Sequence, residues 1–297
     1  MRTTWSRRRA GHEPATRRRR PGPATAAVAV VALGLLAAGG RAGVTATGSA
    51  GTAPRIAAHR GGVGLWPENS LTAFRGALGL GVDLVELDVH QSGDGEVVVI
   101  HDPTLDRTTA GRGPVSRHTV GELAAASLRG GAGEGVPRLQ DVLELLRPTT
   151  TGLLLEIKVD AAGARYPGIE AKVLALLQAT GLEARTSVMA FEWQSLERLR
   201  ALSRTVRLTG LLGVRAAARL GGPAGAARRL VALGANDLGI ERTLLTPEAV
   251  TAAHGAGLTV GVWTVNEPAE LERALAVGVD YVTTDRPDLA LAIRGRR

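Results

Sequence analysis

Charged side chains stand at the ends of three predicted β-strands, and their spacing indicates chemistry at one edge of a sheet. These residues are, in chain order, His59, Arg60, Glu86, Asp88, Glu156 and Lys158. Because side chains two residues apart in a strand point to the same face, Glu86 lies beside Asp88 and Glu156 beside Lys158. Three carboxylates from neighbouring strands form the all-oxygen ligand set that Ca²⁺ or Mg²⁺ prefers. A salt bridge between Glu156 and Lys158 is the alternative for that pair alone, but it does not account for three charged strand ends.

Two histidines near this cluster are candidates for proton transfer. His59 ends the first strand, and His101 ends an additional strand whose hairpin could fold back over the same edge, with Asp102 available to orient an imidazole. Two imidazoles that flank a metal site favour phosphoryl chemistry, because one can remove a proton while the other protonates the departing alcohol. The arginine and lysine of the cluster would neutralise the non-bridging phosphate oxygens. The sequence leaves open which histidine has which role, and it also leaves the role of His90 open.

The segments that carry these residues alternate between short β-type runs and helical patterns. Several predicted strands are almost continuously apolar, which is typical of a parallel sheet covered on both faces. Eight strand-then-helix units in about 240 residues predict an α/β fold of the (β/α)8 TIM barrel type, whose active sites lie at the carboxyl ends of the strands. An open doubly wound sheet is the alternative, but no Gly-x-Gly-x-x-Gly motif follows the first strand. Residues 90–138 break the repeat and predict a small insertion after strand 2.

Apolar periodicity and the glycines and prolines between segments give the predicted boundaries. The predicted strands are Arg55–His59, Leu84–Val89, Gly152–Ile157, Thr186–Ala190, Val206–Gly210, Asp237–Ile240, Thr259–Thr264 and Tyr281–Thr284. The predicted helices are Ser70–Leu80, Leu139–Leu146, Gly168–Thr180, Trp193–Ser203, Ala224–Leu233, Pro247–Ala256 and Pro268–Val277. The insertion adds a predicted strand, Glu96–Ile100, and a short helix, Val120–Ala126.

The first 50 residues differ from the rest of the chain in charge and composition. They contain nine arginines and one acidic residue, which accounts for the whole formal charge of +8, so the remaining chain is neutral. The arginine-rich start, the short apolar run Ala24–Gly40 and the small residues after it are typical of an export signal. We therefore expect residues 1–50 to be a leader and 51–297 to be one catalytic domain, exported to the cell envelope or the extracellular space. Cleavage of the leader is expected, and a retained leader that anchors the protein transiently at a membrane is the alternative.

The composition excludes several classes of protein and site. The predicted domain lacks the net basic charge of a nucleic-acid-binding protein, so no nucleic-acid partner is expected. The chain contains no cysteine, which excludes disulfides, thiolate metal sites and a cysteine nucleophile. Any metal must therefore be bound by oxygen or imidazole ligands.

An ordered series of motifs matches a known family. The motifs are His59-Arg60-Gly61, Pro67-Glu68-Asn69-Ser70, Glu86-Leu87-Asp88-Val89, Val98-Val99-Ile100-His101-Asp102, Leu105-Asp106-Arg107-Thr108-Thr109, Leu155-Glu156-Ile157-Lys158, Trp263-Thr264-Val265-Asn266 and Thr284-Asp285-Arg286-Pro287. Each motif alone would be weak, but the ordered set closely resembles the glycerophosphodiester phosphodiesterases, a family of metal-dependent barrel enzymes. The resemblance extends from about Arg55 to Pro287.

The resemblance implies a role for each matching position. The implied catalytic residues are His59, His101 and Lys158. The implied ligands of a divalent cation, Ca²⁺ or Mg²⁺, are Glu86, Asp88 and Glu156. The implied substrate and phosphate contacts are Arg60, Trp263, Glu68 and Asn69. For Asn69, a capping role at the first helix is the alternative.

The resemblance also implies a function. It points to a metal-dependent hydrolase that cleaves a small-molecule glycerophosphodiester to sn-glycerol 3-phosphate and an alcohol. A phospholipase D-like hydrolase of lysophospholipids or other lipid-linked phosphodiesters is the alternative, which an apolar wall around Trp263 and Leu65-Trp66 would favour. A binding protein without catalytic activity is a third hypothesis, but the chain has lost none of the family's catalytic or metal-ligating residues.

Overall fold

Parallel strands close into a ring within residues 53–296, the part of the chain that the computed structural model describes. The strands are β1 (Arg55–Ala58), β2 (Leu84–Gln91), β3 (Val97–Val99), β4 (Gly152–Ile157), β5 (Thr186–Ala190), β6 (Arg207–Leu212), β7 (Asp237–Glu241), β8 (Thr259–Trp263) and β9 (Tyr281–Thr284). All of them except β3 pair in parallel, in the order β1-β9-β8-β7-β6-β5-β4-β2, and pairing of β1 with β2 closes the ring. The predicted (β/α)8 TIM barrel is therefore confirmed.

Helices connect the strands of the barrel. They are α1 (Leu71–Leu80), α2 (Val120–Ala125), α3 (Leu139–Leu146), α4 (Ile169–Thr180), α5 (Trp193–Leu202), α6 (Val214–Leu220), α7 (Gly222–Leu233), α8 (Pro247–Gly255), α9 (Pro268–Val277) and α10 (Pro287–Gly295). The sequence patterns do not predict α6 or α10. The first has only seven residues and follows β6 almost directly, and Pro287 interrupts the apolar pattern although it occupies the first turn of α10.

The start of α1 shows how local sequence sets the boundary of an element. The Ser70 hydroxyl oxygen accepts a hydrogen bond from the backbone N–H of Ala73 at 2.9 Å, so Ser70 is the N-cap. The capping role considered for Asn69 is therefore filled by its neighbour. The amide of Asn69 is left for contacts on the barrel side of the loop.

The insertion after strand 2 is a hairpin with its own small core. β3 pairs antiparallel with the end of β2, so that Val99 lies opposite Val89. Its buried apolar side chains are Val98, Ile100, Leu105, Val115, Leu123, Leu128 and Val136. The predicted insertion is confirmed, and its hairpin places His101 next to the carboxyl ends of the barrel strands.

The interior of the barrel is filled with side chains. Ala57, Leu84, Leu154, Met189, Leu211 and Tyr281 form this inner cluster. Gly261 makes room for Tyr281, because a Cβ at that glycine would lie 2.0 Å from the tyrosine ring. A filled interior is typical of this fold. It holds the strands, and the polar residues at their carboxyl ends, in fixed positions.

The predicted leader, residues 1–50, lies outside the described residues, and the domain boundary at residue 51 stays a prediction. Within residues 53–296, no helix has the length and apolar character needed to cross a bilayer.

Candidate active site

Three buried carboxylates meet at the carboxyl ends of β2 and β4. Glu86 and Asp88 lie on β2, and Glu156 lies opposite Asp88 on β4. The three residues are 2%, 1% and 7% exposed, and one oxygen from each lies within 4.8 Å of the others. Oxygen ligands on opposite sides of one Ca²⁺ lie roughly 5 Å apart, given metal–oxygen distances of about 2.3–2.6 Å. The spacing of the three oxygens therefore fits a single cation.

The charge balance of the cluster also fits a cation. Burial and then the charge of Asp88 raise the pKa of Glu86 to about 7. Burial raises the pKa of Glu156 as well, against the opposing charge of Lys158. For Asp88, burial would raise the pKa, but the charge of Lys158 and other nearby cations outweigh it and lower that pKa. A bound cation would favour the ionised form of all three acids.

Lys158 lies between two of these carboxylates. Its Nζ is 2.9 Å from Asp88 Oδ1 and 2.7 Å from Glu156 Oε1. Burial alone would lower the pKa of Lys158, but the two carboxylates outweigh burial and raise that pKa, which keeps the ammonium charged. The salt bridge between Glu156 and Lys158 is therefore present, but it is part of the acidic cluster and does not replace it.

Arg60 lies between Glu68 and the acidic cluster. Its Nη1 donates to Glu68 Oε1 at 3.0 Å, whereas its buried Nε has no hydrogen-bond acceptor among the described residues and lies 3.5 Å from Asp88 Oδ2. The backbone of Arg60 is left-handed (φ 52°), a conformation that a side chain disfavours, and its N–H donates to Glu86 Oε2 at 2.8 Å. An unsatisfied buried donor costs about 1–3 kcal/mol. The Nε is therefore an incompletely satisfied donor beside Asp88.

His59 is held by a carboxylate that directly follows the last barrel strand. Its Nδ1 lies 2.5 Å from Asp285 Oδ1, and Asp285 Oδ2 accepts from the Asn266 amide at 2.6 Å. Because the carboxylate accepts, Nδ1 carries the hydrogen, and Nε2 lies on the side of the acidic cluster, 4.0 Å from Glu86 Oε2. Burial would lower the pKa of His59, but the hydrogen bond to Asp285 and the charge of Glu86 raise it.

His101 is held in the same manner by its neighbour in sequence. Its Nδ1 lies 2.7 Å from Asp102 Oδ1, which leaves Nε2 as the nitrogen available to a ligand. Burial lowers the pKa of His101, and the positive charge of Lys158 lowers it further. Both histidines are therefore oriented by a carboxylate at Nδ1.

Arg107 links the part of the site around His101 to the part around Arg60. Its Nη1 and Nη2 donate to the two oxygens of Glu68 at 2.7 and 2.8 Å, and its Nε and Nη2 donate to the two oxygens of Asp102 at 2.7 and 2.9 Å. The hydrogen bonds from Arg107 lower the pKa of Asp102 to about 2, so this carboxylate is ionised. A continuous chain of charged contacts therefore joins His101 to Arg60 through Asp102, Arg107 and Glu68.

His90, whose role the sequence leaves open, holds the end of the hairpin in place through hydrogen bonds. Its Nε2 donates to the backbone oxygen of His101 at 3.0 Å, and its Nδ1 accepts from the Tyr166 hydroxyl at 2.9 Å. Burial lowers the pKa of His90 to about 4, so the ring is neutral at neutral pH. His90 therefore has a positional role rather than a contact with the cavity.

These groups surround a cavity of about 100 Å³ at the barrel mouth. The cavity is charged on the side of β1, β2 and β4. Its opposite side is formed by Met189, Phe191, Leu211 and Trp263. The Trp263 indole N–H donates to Gly239 O at 3.1 Å, and its ring packs edge-to-face with Phe191 at 5.2 Å between centroids. The mouth therefore has a polar half and an apolar half.

The structure brings eight of the ten predicted site residues to this cavity. They are His59, Arg60, Glu86, Asp88, His101, Glu156, Lys158 and Trp263. The other two predicted contacts, Glu68 and Asn69, do not line it: Glu68 binds Arg60 and Arg107, and the Asn69 amide donates to Asp88 Oδ2 at 2.9 Å. Both side chains therefore hold other site residues in place. Of the apolar wall that would favour the phospholipase D-like alternative, Trp263 lines this cavity and Leu65-Trp66 do not.

Sequence reasoning missed the orienting role of Asp285 and the linking role of Arg107. The sequence identifies the segments around both residues only as matching motifs. Asp285 lies 226 residues from the histidine that it contacts, so no local spacing could connect the two. Asp102 was the one orienting carboxylate that the sequence indicated, because it directly follows its histidine.

Comparison with known proteins gives a consistent set of relatives. The model of the glycerophosphoryl diester phosphodiesterase family matches residues 59–289. A glycerophosphodiester phosphodiesterase of Caldanaerobacter subterraneus is 33% identical over 238 residues, which cover 78% of this chain and 94% of the relative. A protein of the same name from Bacillus altitudinis is 34% identical over 250 residues, which cover 81% of this chain and 98% of the relative.

Solved structures show the same similarity. The crystal structure of a glycerophosphodiester phosphodiesterase from Agrobacterium tumefaciens is 31% identical and has a TM-score of 0.68, covering 80% of this chain and 99% of its own. An Oleispira antarctica phosphodiesterase, solved with the product sn-glycerol-3-phosphate, is 26% identical with a TM-score of 0.72 and covers 81% of this chain and 96% of its own.

Proposed function

The chain belongs to the glycerophosphoryl diester phosphodiesterase family, and we propose that it hydrolyses glycerophosphodiesters to sn-glycerol 3-phosphate and an alcohol. One observation carries the proposal: two imidazoles held by carboxylates, an arginine and three buried acids converge on one cavity. The product named for the Oleispira relative supports this choice of substrate.

Arg60 and Lys158 would bind the phosphate. Arg60 lines the cavity, and its guanidinium group would bind a non-bridging phosphate oxygen. Lys158 is fixed by two carboxylates and keeps its charge, so it would stabilise the negative charge that develops on the phosphorus oxygens. The two positively charged side chains would therefore orient the diester before any bond breaks.

The two histidines would move the protons. The Nε2 of one imidazole takes the proton of the attacking oxygen, which forms the new bond to phosphorus. The Nε2–H of the other gives a proton to the alcohol oxygen as its bond to phosphorus breaks. Asp285 and Asp102 hold the two rings with Nδ1 protonated, so Nε2 is the reacting nitrogen in both. The attacking oxygen is either water or the 2-hydroxyl of the glycerol. In the second case the alcohol leaves with formation of a cyclic phosphate, and water then opens this ring, with the two histidines in exchanged roles, to give sn-glycerol 3-phosphate.

A divalent cation, Ca²⁺ or Mg²⁺, would be held by Glu86, Asp88 and Glu156. When bound, it would polarise a phosphate oxygen as a Lewis acid. The spacing and the raised pKa values of two of these acids support this assignment.

Hydrolysis of lysophospholipids is the second candidate function. It is favoured by Phe191 and Val214, two large apolar side chains near the mouth that are each 48% exposed. Turnover of glycerophosphocholine and of lysophosphatidylcholine, measured with the same protein, distinguishes the two functions. Faster turnover of glycerophosphocholine would support the small-molecule function, and faster turnover of lysophosphatidylcholine would support the second candidate.

We also propose that the protein acts outside the cytoplasm. The proposal rests on the arginine-rich leader and its short apolar run. Expression of the full chain in its host, with fractionation and sequencing of the amino terminus, tests export and cleavage together. A cytoplasmic protein with an intact leader would contradict both.

The substrate proposal is tested with purified residues 51–297 and added Ca²⁺ or Mg²⁺. Release of sn-glycerol 3-phosphate from glycerophosphocholine by the wild-type protein, and its loss in His59→Ala and His101→Ala variants that remain folded, is the expected result. Equal release by the wild type and both variants would reject this site.

A further inference from the structure

A second cavity of about 500 Å³ adjoins the catalytic one across the aromatic pair Phe191 and Trp263. The two aromatic residues line both cavities, so the cavities meet at these two side chains. The catalytic cavity, at about 100 Å³, has one fifth of that volume. A diester whose phosphate lies in the catalytic cavity would therefore find room for its larger half in the outer one.

The chemistry of this outer cavity differs from that of the catalytic one. Its apolar lining includes Phe191 and Val214, which are each 48% exposed. Helix α6, which begins at Val214, also contributes Arg215 and Arg219, one turn apart. Arg219 also lines a neighbouring depression together with Arg229. A molecule that fills the outer cavity would therefore contact apolar surface first and then guanidinium groups.

The arginines of α6 have no partner inside residues 53–296. Arg215 and Arg219 make no ion pair there, whereas Arg207 and Arg242 pair with Asp237 and Glu270. Glu241 also lines the cavity, but its two oxygens accept hydrogen bonds from the Val214 N–H at 3.2 Å and the Thr243 hydroxyl at 3.1 Å. The local charge is therefore positive, and its cationic groups are available to a ligand.

We propose that this outer cavity binds the alcohol half of the diester and selects alcohols that carry an additional anionic group, such as a phosphate. The proposal rests on the proposed diesterase function. The alcohol half varies among glycerophosphodiesters, so it belongs in the larger and more open space. A quaternary ammonium on the alcohol would be repelled by the two arginines of α6. A long acyl chain there would also be disfavoured, because it would leave the charges of the arginines without a partner.

The size of the effect follows from the exposure of the arginines. Contacts between exposed charges change affinity by roughly 1.4- to 5-fold each, so two contacts give a preference of about 2- to 30-fold. Because exposed charges are screened by salt, the preference should fall as ionic strength increases from about 0.05 to 0.5 M.

A competition experiment tests the proposal. Two substrates compete for the enzyme: the glycerophosphodiester of butanol and that of butanol carrying a terminal phosphate. Phosphorus NMR follows the consumption of both substrates and gives the ratio of their kcat/KM values. We expect the wild type to prefer the phosphorylated alcohol by about 2- to 30-fold. The double variant Arg215→Gln, Arg219→Gln should lose most of this preference, and Arg215→Glu, Arg219→Glu should reverse it. Arg273→Gln, an exposed arginine of α9 that lines neither cavity, is the matched control and should keep it.

The possible results distinguish failure of the proposed alcohol selectivity from failure of the proposed diesterase function. No preference in the wild type, or a preference that the double variant keeps, would overturn the proposal. A wild-type preference for the choline diester over both butanol diesters would overturn it as well. Failure of the wild type to cleave any glycerophosphodiester would instead reject the proposed function.

Discussion

Replacement of Arg107 by methionine should slow hydrolysis although this residue does not line the cavity. Arg107 donates to both oxygens of Glu68 and both oxygens of Asp102, and these acids contact Arg60 and His101 in turn. The Arg107 side chain is 48% exposed, so each ion pair has a surface value of about 0.2–1 kcal/mol. Loss of both pairs therefore costs about 1 kcal/mol of unfolding free energy, which lowers Tm by roughly 2–4 °C.

The effect on catalysis should be larger than the effect on folding. Without Arg107, Asp102 is free to rotate and His101 loses its fixed orientation, while the His101–Asp102 hydrogen bond itself can still form. We therefore expect kcat to fall by about 5- to 30-fold, which corresponds to roughly 1–2 kcal/mol of barrier, and KM to change little. This is less than the about 10²- to 10⁴-fold contribution of a complete acid or base.

The assay compares kcat and KM for Arg107→Met, Arg107→Lys and Arg112→Met. Arg112 lies exposed on the same insertion, and its replacement controls for loss of charge there. Lysine cannot donate two parallel bonds to each carboxylate, so Arg107→Lys should be intermediate. Wild-type kcat in Arg107→Met, or an equal loss in Arg112→Met, would refute the linking role of Arg107.

Three further outcomes are expected. Arg60→Lys should reduce kcat/KM by more than about tenfold, because an ammonium cannot replace the planar guanidinium contact with phosphate; wild-type kinetics would show that Arg60 is only a partner of Glu68. His59→Ala and His101→Ala should each reduce kcat by about 10²- to 10⁴-fold with near-normal Tm, and only the variant that lacks the acid should recover on a diester with a good leaving group; equal recovery of both would reject the two-histidine assignment. Since the pKa of Glu86 is about 7 and that of Glu156 is also raised, protons compete with the metal below pH 7. The increase in Tm on addition of Ca²⁺ should therefore be larger at pH 8 than at pH 5.5, and an equal increase at both would contradict the ligand assignment.

The sequence predicts the barrel well because its signals are local. Apolar strands, helix caps and glycines at helix ends each depend on a few adjacent residues, and these signals repeat eight times. The exceptions are also local: α6 is too short for a periodic pattern, and Pro287 resembles a break although it starts α10. The fold is therefore largely determined by patterns that a reader can see in the sequence.

The site is predicted only in part, because its supporting contacts are not local. The carboxylates of β2 and the pair on β4 follow from strand spacing and from the carboxyl-end rule of barrels. The hydrogen bond between His59 and Asp285, by contrast, joins the first and last barrel strands. The contact of Asn69 with Asp88 could not be distinguished from a helix cap, because both uses suit a side-chain amide before a helix.

We expect hydrolysis at this cavity to need a divalent cation held by Glu86, Asp88 and Glu156. The direct measurement is calorimetric binding of Ca²⁺ or Mg²⁺ to metal-free protein, combined with sn-glycerol 3-phosphate release from glycerophosphocholine by the same sample. We expect one cation per chain and activity that appears in proportion to its binding, with both lost in a folded Glu86→Gln variant. Full activity in excess chelator, from protein that contains no metal by elemental analysis, would contradict the claim.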